Sequence, residues 1–200
     1  MNEKILFLPI DIPFDNSLIK YIDAHKYEFT FSTWNVMKLT KQTENYAVSD
    51  FNDHVKDKWN DIIIYLNNYF PYVEYINVKF HQSKKNIATP AHIDLVHPEK
   101  NIEFKKHLQD NEPCGYRIFI KGDRSKFYII NSAEKKIHCS FPNDTNVFII
   151  RHADGIHGSE PDNNRIVLFL SGLIDKDKHE EILKRSKEKY KDYIIYDEID

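Results

Sequence analysis

The chain has 200 residues, 41% of them hydrophobic and 30% charged, with a net charge of −3 at pH 7. That length suits one domain with a substantial core, and the apolar share excludes a disordered chain. The near-balanced charge excludes a global basic field for nucleic acid or anionic lipid, and no apolar run approaches the ~18–20 residues of a membrane-spanning helix.

Aromatic residues make up 14% of the chain, with 13 Phe and 12 Tyr, and these favour strands. Residues 5–10 predict a first strand; the run is too short for a signal sequence and meets Asp11. Residues 16–22 predict a short helix behind an Asn16 or Ser17 cap, and residues 29–34 alternate like a strand. Residues 53–70 predict one long helix. Val55, Trp59, Ile62, Ile63, Leu66 and Tyr69 recur at helical spacing, and Pro71 stops the run.

Beyond Pro71 the pattern changes. Short strand-like runs at 72–80, 116–120, 126–130, 136–139, 146–150 and 165–170 are separated by turn chemistry at 121–123, 141–144 and 160–164. Many short antiparallel strands predict a mainly β fold with flanking helices, a sandwich or barrel of the jelly-roll kind. With only 5 Gly, Asn and Asp must take many of the tight turns. Residues 176–191 predict a charged helix with acidic residues at its start and Lys at its end, as the helix dipole prefers, and the acidic tail 196–200 is expected to fray. The expected organisation is a single domain, 1–200, with a strand and helix layer at 1–71, a core at 72–175 and a C-terminal helix and tail at 176–200. Cys114 and Cys139 form no CxxC pair, so both read as small buried residues in a reducing cytoplasm.

The stretch that carries chemistry is Thr89-Pro90-Ala91-His92-Ile93-Asp94. On a strand, His-x-Asp places imidazole and carboxylate on one face, because the side-chain period is two. That is two-thirds of a 2-His-1-carboxylate triad, the ligand set of non-haem Fe(II) sites with open positions. Alone the dipeptide spacing is weak, and a surface turn explains it equally well. A third ligand must come from later in the fold. His157, after the apolar run at 146–150 and before Gly158-Ser159, is preferred over His152, while His97 reads as a loop residue beside Pro98 and His81 as a possible pocket wall.

Arg165 opens the apolar run Ile166-Val167-Leu168-Phe169-Leu170. A guanidinium there needs an anionic partner and grips a carboxylate with two parallel hydrogen bonds. The partner is either the distal carboxylate of a 2-oxo-dicarboxylate or a protein carboxylate such as Asp162. Arg117, in the apolar run Tyr116-Arg117-Ile118-Phe119-Ile120, raises the same question and is expected to face the barrel interior.

The order His92-x-Asp94, then His157, then Arg165, each in a strand setting, resembles the Fe(II)/2-oxoglutarate-dependent oxygenase superfamily. Arg117 and the segment from His157 to Leu168 resemble its aspartyl/asparaginyl β-hydroxylase-like branch, over about half the chain. Phe119 stands where that branch often carries a His two residues after its strand Arg. The resemblance implies a double-stranded β-helix core. It implies Fe(II) held by His92, Asp94 and His157, and 2-oxoglutarate as cosubstrate with Arg165, assisted by Arg117, on its carboxylate. The implied activity is O₂-dependent hydroxylation of an amino acid, a peptide side chain or a small metabolite, with neither nucleic acid nor membrane as partner. Two alternatives stay open at this point. One is a cupin-like binding module without turnover. The other is a zinc hydrolase built on His92, Asp94 and His97.

Overall fold

The computed structural model describes residues 4–31, 35–41, 49–83, 86–92, 112–150 and 155–197. Its strands are β1 (Lys4–Pro9), β2 (Thr30–Phe31), β3 (Asn35–Lys38), β4 (Tyr72–Gln82), β5 (Ile87–His92), β6 (Glu112–Lys121), β7 (Phe127–Ile130), β8 (Lys136–His138), β9 (Val147–Ile150), β10 (Ile156–Asp162), β11 (Ile166–Ile174) and β12 (Ile195–Asp197). The helices are α1 (Ser17–Ala24), α2 (Asp53–Lys58), α3 (Asn60–Tyr69) and α4 (Lys176–Lys189).

The strands form an eight-stranded sheet, in the order β12-β1-β9-β6-β11-β4-β3-β2, and a four-stranded sheet, in the order β5-β10-β7-β8. Neighbouring strands pair antiparallel, as in β11 with β4 and β6 and in β10 with β5 and β7. This is a jelly-roll core with flanking helices, as the spacing of short strands predicts.

Strand periodicity sorts the side chains into two cores. On β11, Ile166, Leu168 and Leu170 join Val78, Phe80 and Ile118 in a cluster that also takes Leu18 and Tyr21 of α1, Ile62 and Leu66 of α3, and Ile182 of α4. The helices therefore cover one face of the large sheet. The other face meets the small sheet through Phe7, Phe119, Phe127, Ile129, Phe148 and Ile150. Each fully buried Leu, Ile or Phe contributes ~1.5–3 kcal/mol, which is enough to hold both layers. Val167 and Phe169 alternate with the first set and point between the sheets, where a cavity lies. Only one face of β11 is thus sealed by packing, whereas the apolar run alone suggests cover on both.

Several expectations are corrected. The helix expected across 53–70 breaks at Trp59, whose φ of −130° and ψ of 34° end α2 and open α3. Val55 and Ile62 remain fully buried on either side, so the apolar spacing continues across a one-residue hinge that periodicity does not register. Neither Asn16 nor Ser17 caps α1 with its side chain; the Asp15 carboxylate instead accepts from the Ser17 amide at 2.7 Å. Of the strand expected at 29–34, Thr30–Phe31 is seen and residues 32–34 lie outside the described residues, while β3 is an additional strand paired with β4.

The tail is held rather than frayed through Asp197. β12 pairs with β1, and the buried Asp197 carboxylate accepts from the Ser132 amide at 2.8 Å. The segment 156–162, expected as a ligand followed by a turn, is the strand β10. Pro161 and Gly158 lower its intrinsic strand preference, but partners on both sides, β5 and β7, hold it in the sheet.

Other expectations agree with the structure. Asp175 caps α4, accepting from the Lys178 amide at 3.1 Å, and Lys187 and Lys189 occupy its last turn. Asn86 and Asn164 adopt positive φ in turns, at 57° and 71°. Cys139 is buried, and that burial pushes its thiol well above the usual range. The side chain of Cys114 lies outside the described residues. No described helix is long and apolar enough to cross a membrane.

Candidate active site

A cavity of about 320 Å³ opens between the two sheets. Its large-sheet wall carries Lys79 and His81 from β4, Arg117 from β6, Phe148 from β9, and Val167 and Phe169 from β11. Its small-sheet wall carries Thr89 and His92 from β5, Phe127 from β7, and His157 and Ser159 from β10. Arg165 sits at the corner where the chain passes from β10 in one sheet to β11 in the other.

His92 and His157 come from distant parts of the sequence and meet directly. They are cross-strand partners in the β5–β10 pair, and their ring centroids stand 4.4 Å apart. Each ring is oriented by its own strand. His92 Nδ1 donates to the Pro90 carbonyl at 2.8 Å, and His157 Nδ1 donates to the Gly155 carbonyl at 3.0 Å. A carbonyl only accepts, so both Nδ1 atoms carry the hydrogen. In each neutral imidazole the lone pair is then on Nε2, the form a metal ligand requires. Asp94, His97 and His152 lie outside the described residues.

A bulge shapes this wall. The register runs from His157 opposite His92 to Ser159 opposite Thr89, two steps on β10 against three on β5. Simple alternation would put Thr89 and His92 on opposite faces of β5. The extra residue turns both into the cavity.

Gly158 lets the two strands come this close. A Cβ there would stand 2.7 Å from the Thr89 carbonyl oxygen. Gly158→Ala should therefore push β5 from β10 beside His157. The expected cost is ~1–3 kcal/mol of overpacking, with a fall of several degrees in Tm. Fe(II) affinity should fall as well, since the histidine pair is disturbed. A variant with wild-type Tm and wild-type metal affinity would show that the close approach is unimportant.

Arg165 is 7% exposed and is clamped from both ends. Its backbone N–H donates to Ser83 Oγ at 3.1 Å, and its carbonyl accepts from the Ser83 amide at 2.8 Å. Its guanidinium donates to Thr89 Oγ1 at 2.5 Å and to Ser159 Oγ. Those partners are neutral hydroxyls. They satisfy donors without neutralising charge. Burial pulls the guanidinium below its ordinary range, and the Asp162 carboxylate acts the other way through its charge. That carboxylate is itself engaged, accepting from the Asp123 amide at 2.9 Å. A buried cation held by hydroxyls at a cavity wall is a site for an anion.

Arg117 is 4% exposed and also lines the cavity. Register aligns Lys79, Phe169, Arg117 and Phe148 in one row across four strands. The Arg117 guanidinium and the Lys79 ammonium lie over the Phe169 ring, with centroid distances of 5.2 and 5.4 Å.

The structure thus brings His92, His157, Arg165 and Arg117 to one cavity. It adds Thr89, Ser159, Ser83, Lys79 and Phe169, which the sequence reading does not single out. Ser159 would follow from His157 by period two had 156–162 been read as a strand. Thr89 is hidden by the bulge, which no local pattern announces.

No protein-family model matches the chain, and no curated protein matches it in sequence. Among solved structures, the chain is similar to a 2OG-Fe(II) oxygenase family oxidoreductase from Burkholderia pseudomallei. The TM-score is 0.50 and the identity 16%, over 82% of this chain and 83% of that one. A viral collagen prolyl hydroxylase of Paramecium bursaria Chlorella virus-1, solved with 2OG, has a TM-score of 0.47 and 10% identity over 85% and 96% of the two chains. A Pseudomonas putida prolyl-4-hydroxylase has a TM-score of 0.46 and 10% identity over 86% and 92%. At 16% identity the Burkholderia pseudomallei likeness is one of fold.

Proposed function

We propose that this protein is an Fe(II)- and 2-oxoglutarate-dependent dioxygenase that hydroxylates an unactivated C–H bond. The observation that carries this reading is the opposed pair His92 and His157 in the same cavity as the buried Arg165. His92 and His157, with Asp94 from the sequence reading, would hold Fe(II), and Arg165 would hold the distal carboxylate of 2-oxoglutarate. The donor set fits: two imidazoles with the lone pair on Nε2, and a cation whose protein partners are hydroxyls.

Bound together, Fe(II) and 2-oxoglutarate supply the redox chemistry: O₂ splits the 2-oxo acid to succinate and CO₂ and oxidises the substrate. The chain's own residues orient and shield. The Pro90 and Gly155 carbonyls fix the ligand rings. Thr89 and Ser159 aim the Arg165 guanidinium, and Phe127, Phe148 and Phe169 limit water in the cavity. Arg117 and Lys79, aligned on the opposite wall, are placed to meet cosubstrate or an anionic part of the substrate.

The finer reading, an aspartyl/asparaginyl β-hydroxylase-like enzyme acting on an amino acid, peptide side chain or small metabolite in the cytoplasm, is supported by Arg117 facing the cavity. Phe119, in place of a His, is packed between the sheets at 2% exposure and takes no part in the site. The cupin-like alternative predicts a protein anion on Arg165, and the hydroxyl partners favour the oxygenase instead.

Anaerobic titration tests the proposal. Fe(II) followed by 2-oxoglutarate should produce a weak visible metal-to-ligand charge-transfer band that either component alone lacks. A protein that binds Fe(II) but shows no band at saturating 2-oxoglutarate is not this enzyme.

A further inference from the structure

We propose that His25, Glu28 and His54 form a second metal site, remote from the cavity, that takes one divalent cation of the zinc class and staples α1 to α2. One ligand atom from each of the three lies within 4.8 Å of the others. None of the three lines the cavity.

The residues are positioned by the helical layer. His25 caps the C-terminus of α1, its backbone N–H donating to the Tyr21 carbonyl at 3.0 Å. Glu28 follows in the next turn, its N–H donating to the His25 carbonyl at 2.9 Å. His54 lies in the first turn of α2. Tyr21 organises both imidazoles. The His25 ring stacks on it with centroids 4.2 Å apart, and its hydroxyl bonds His54 Nε2 at 2.8 Å. The two imidazole centroids stand 5.6 Å apart.

Tautomer and distance point to a metal. His25 Nδ1 donates to the Tyr21 carbonyl at 2.9 Å, so the neutral ring presents the lone pair of Nε2 to Glu28. Two electron-rich atoms then face each other, His25 Nε2 and Glu28 Oε1, at 3.9 Å. A cation must lie between them to make the arrangement favourable. A proton on Nε2 would draw the pair to the ~2.7–2.9 Å of a charge-assisted hydrogen bond. Two ligands bound at ~2.0–2.1 Å in a tetrahedron stand about 3.3 Å apart, close to what is seen. The Glu28 side chain is 57% exposed and free to swing the remaining distance. Two imidazoles and one carboxylate suit zinc, with water as a fourth ligand, and the carbonyl behind His25 is the outer partner such ligands use. A metal here would join α1, the turn after it and α2, elements otherwise linked across the undescribed segments 32–34 and 42–48.

The test uses the full chain with His92→Ala and His157→Ala, which removes the cavity histidines. This site does not depend on the proposed activity, and the background separates the two. Titration with Co(II) should show one equivalent bound with the intense visible bands of a four-coordinate ion, and Zn(II) should displace it and raise Tm. Adding Glu28→Gln, an exposed change that leaves the fold intact, should weaken binding by more than the ~10–100-fold that loss of an outer partner costs, and His54→Ala should do the same. Absence of the bound equivalent in the background, or its persistence at equal affinity in both variants, overturns the proposal.

Discussion

His157→Ala should abolish tight Fe(II) binding while leaving the protein folded. The residue is 4% exposed, yet its ring faces a cavity, so truncation enlarges a space already present rather than opening one in the core. The packing lost is the contact with Phe127, whose ring centroid is 5.9 Å away. Such a pair contributes ~0.5–1.5 kcal/mol, or a few degrees in Tm for a chain of this size. The metal loses one of its few protein ligands, which should weaken affinity by well over the ~10–100-fold attached to an outer partner. His92→Ala and Asp94→Ala should behave alike, and His97→Ala should not. Equilibrium dialysis of Fe(II) under argon, beside thermal melts, checks both halves. Full metal affinity in His157→Ala together with loss in His97→Ala would transfer the site to the zinc-hydrolase reading.

Arg165→Ala is expected to weaken 2-oxoglutarate binding by roughly 10–150-fold, the equivalent of the ~1.5–3 kcal/mol that a charge-assisted pair contributes. Fe(II) affinity should barely change, because Arg165 meets Thr89 and Ser159 and not the histidines. Arg165→Lys should recover part of the loss: the charge returns, but the planar fork spanning both hydroxyls does not. A 2-oxo monocarboxylate, lacking the distal carboxylate, should hardly distinguish wild type from mutant. Cosubstrate affinity that is untouched in Arg165→Ala would sink the assignment and favour the cupin-like binding module.

Local chemistry in the sequence is enough for the mainly β class, for most core strands and for α4 with its cap. It also suffices to single out His92, His157, Arg117 and Arg165, because a charge or imidazole inside or beside an apolar run is conspicuous. Those features depend on periods of two and 3.6 residues and on near neighbours in the chain. What depends on distant partners was decided by the tertiary structure. Trp59 breaks a helix whose apolar spacing continues unbroken. Residues 156–162 become a strand because β5 and β7 flank them, against the preference of Gly158 and Pro161. The tail pairs with β1 from the far end of the chain. The bulge that turns Thr89 toward Arg165 exists only in the register between β5 and β10. Pairing free energy comes from residues far apart in sequence, so no local window contains the information that places these side chains on one wall.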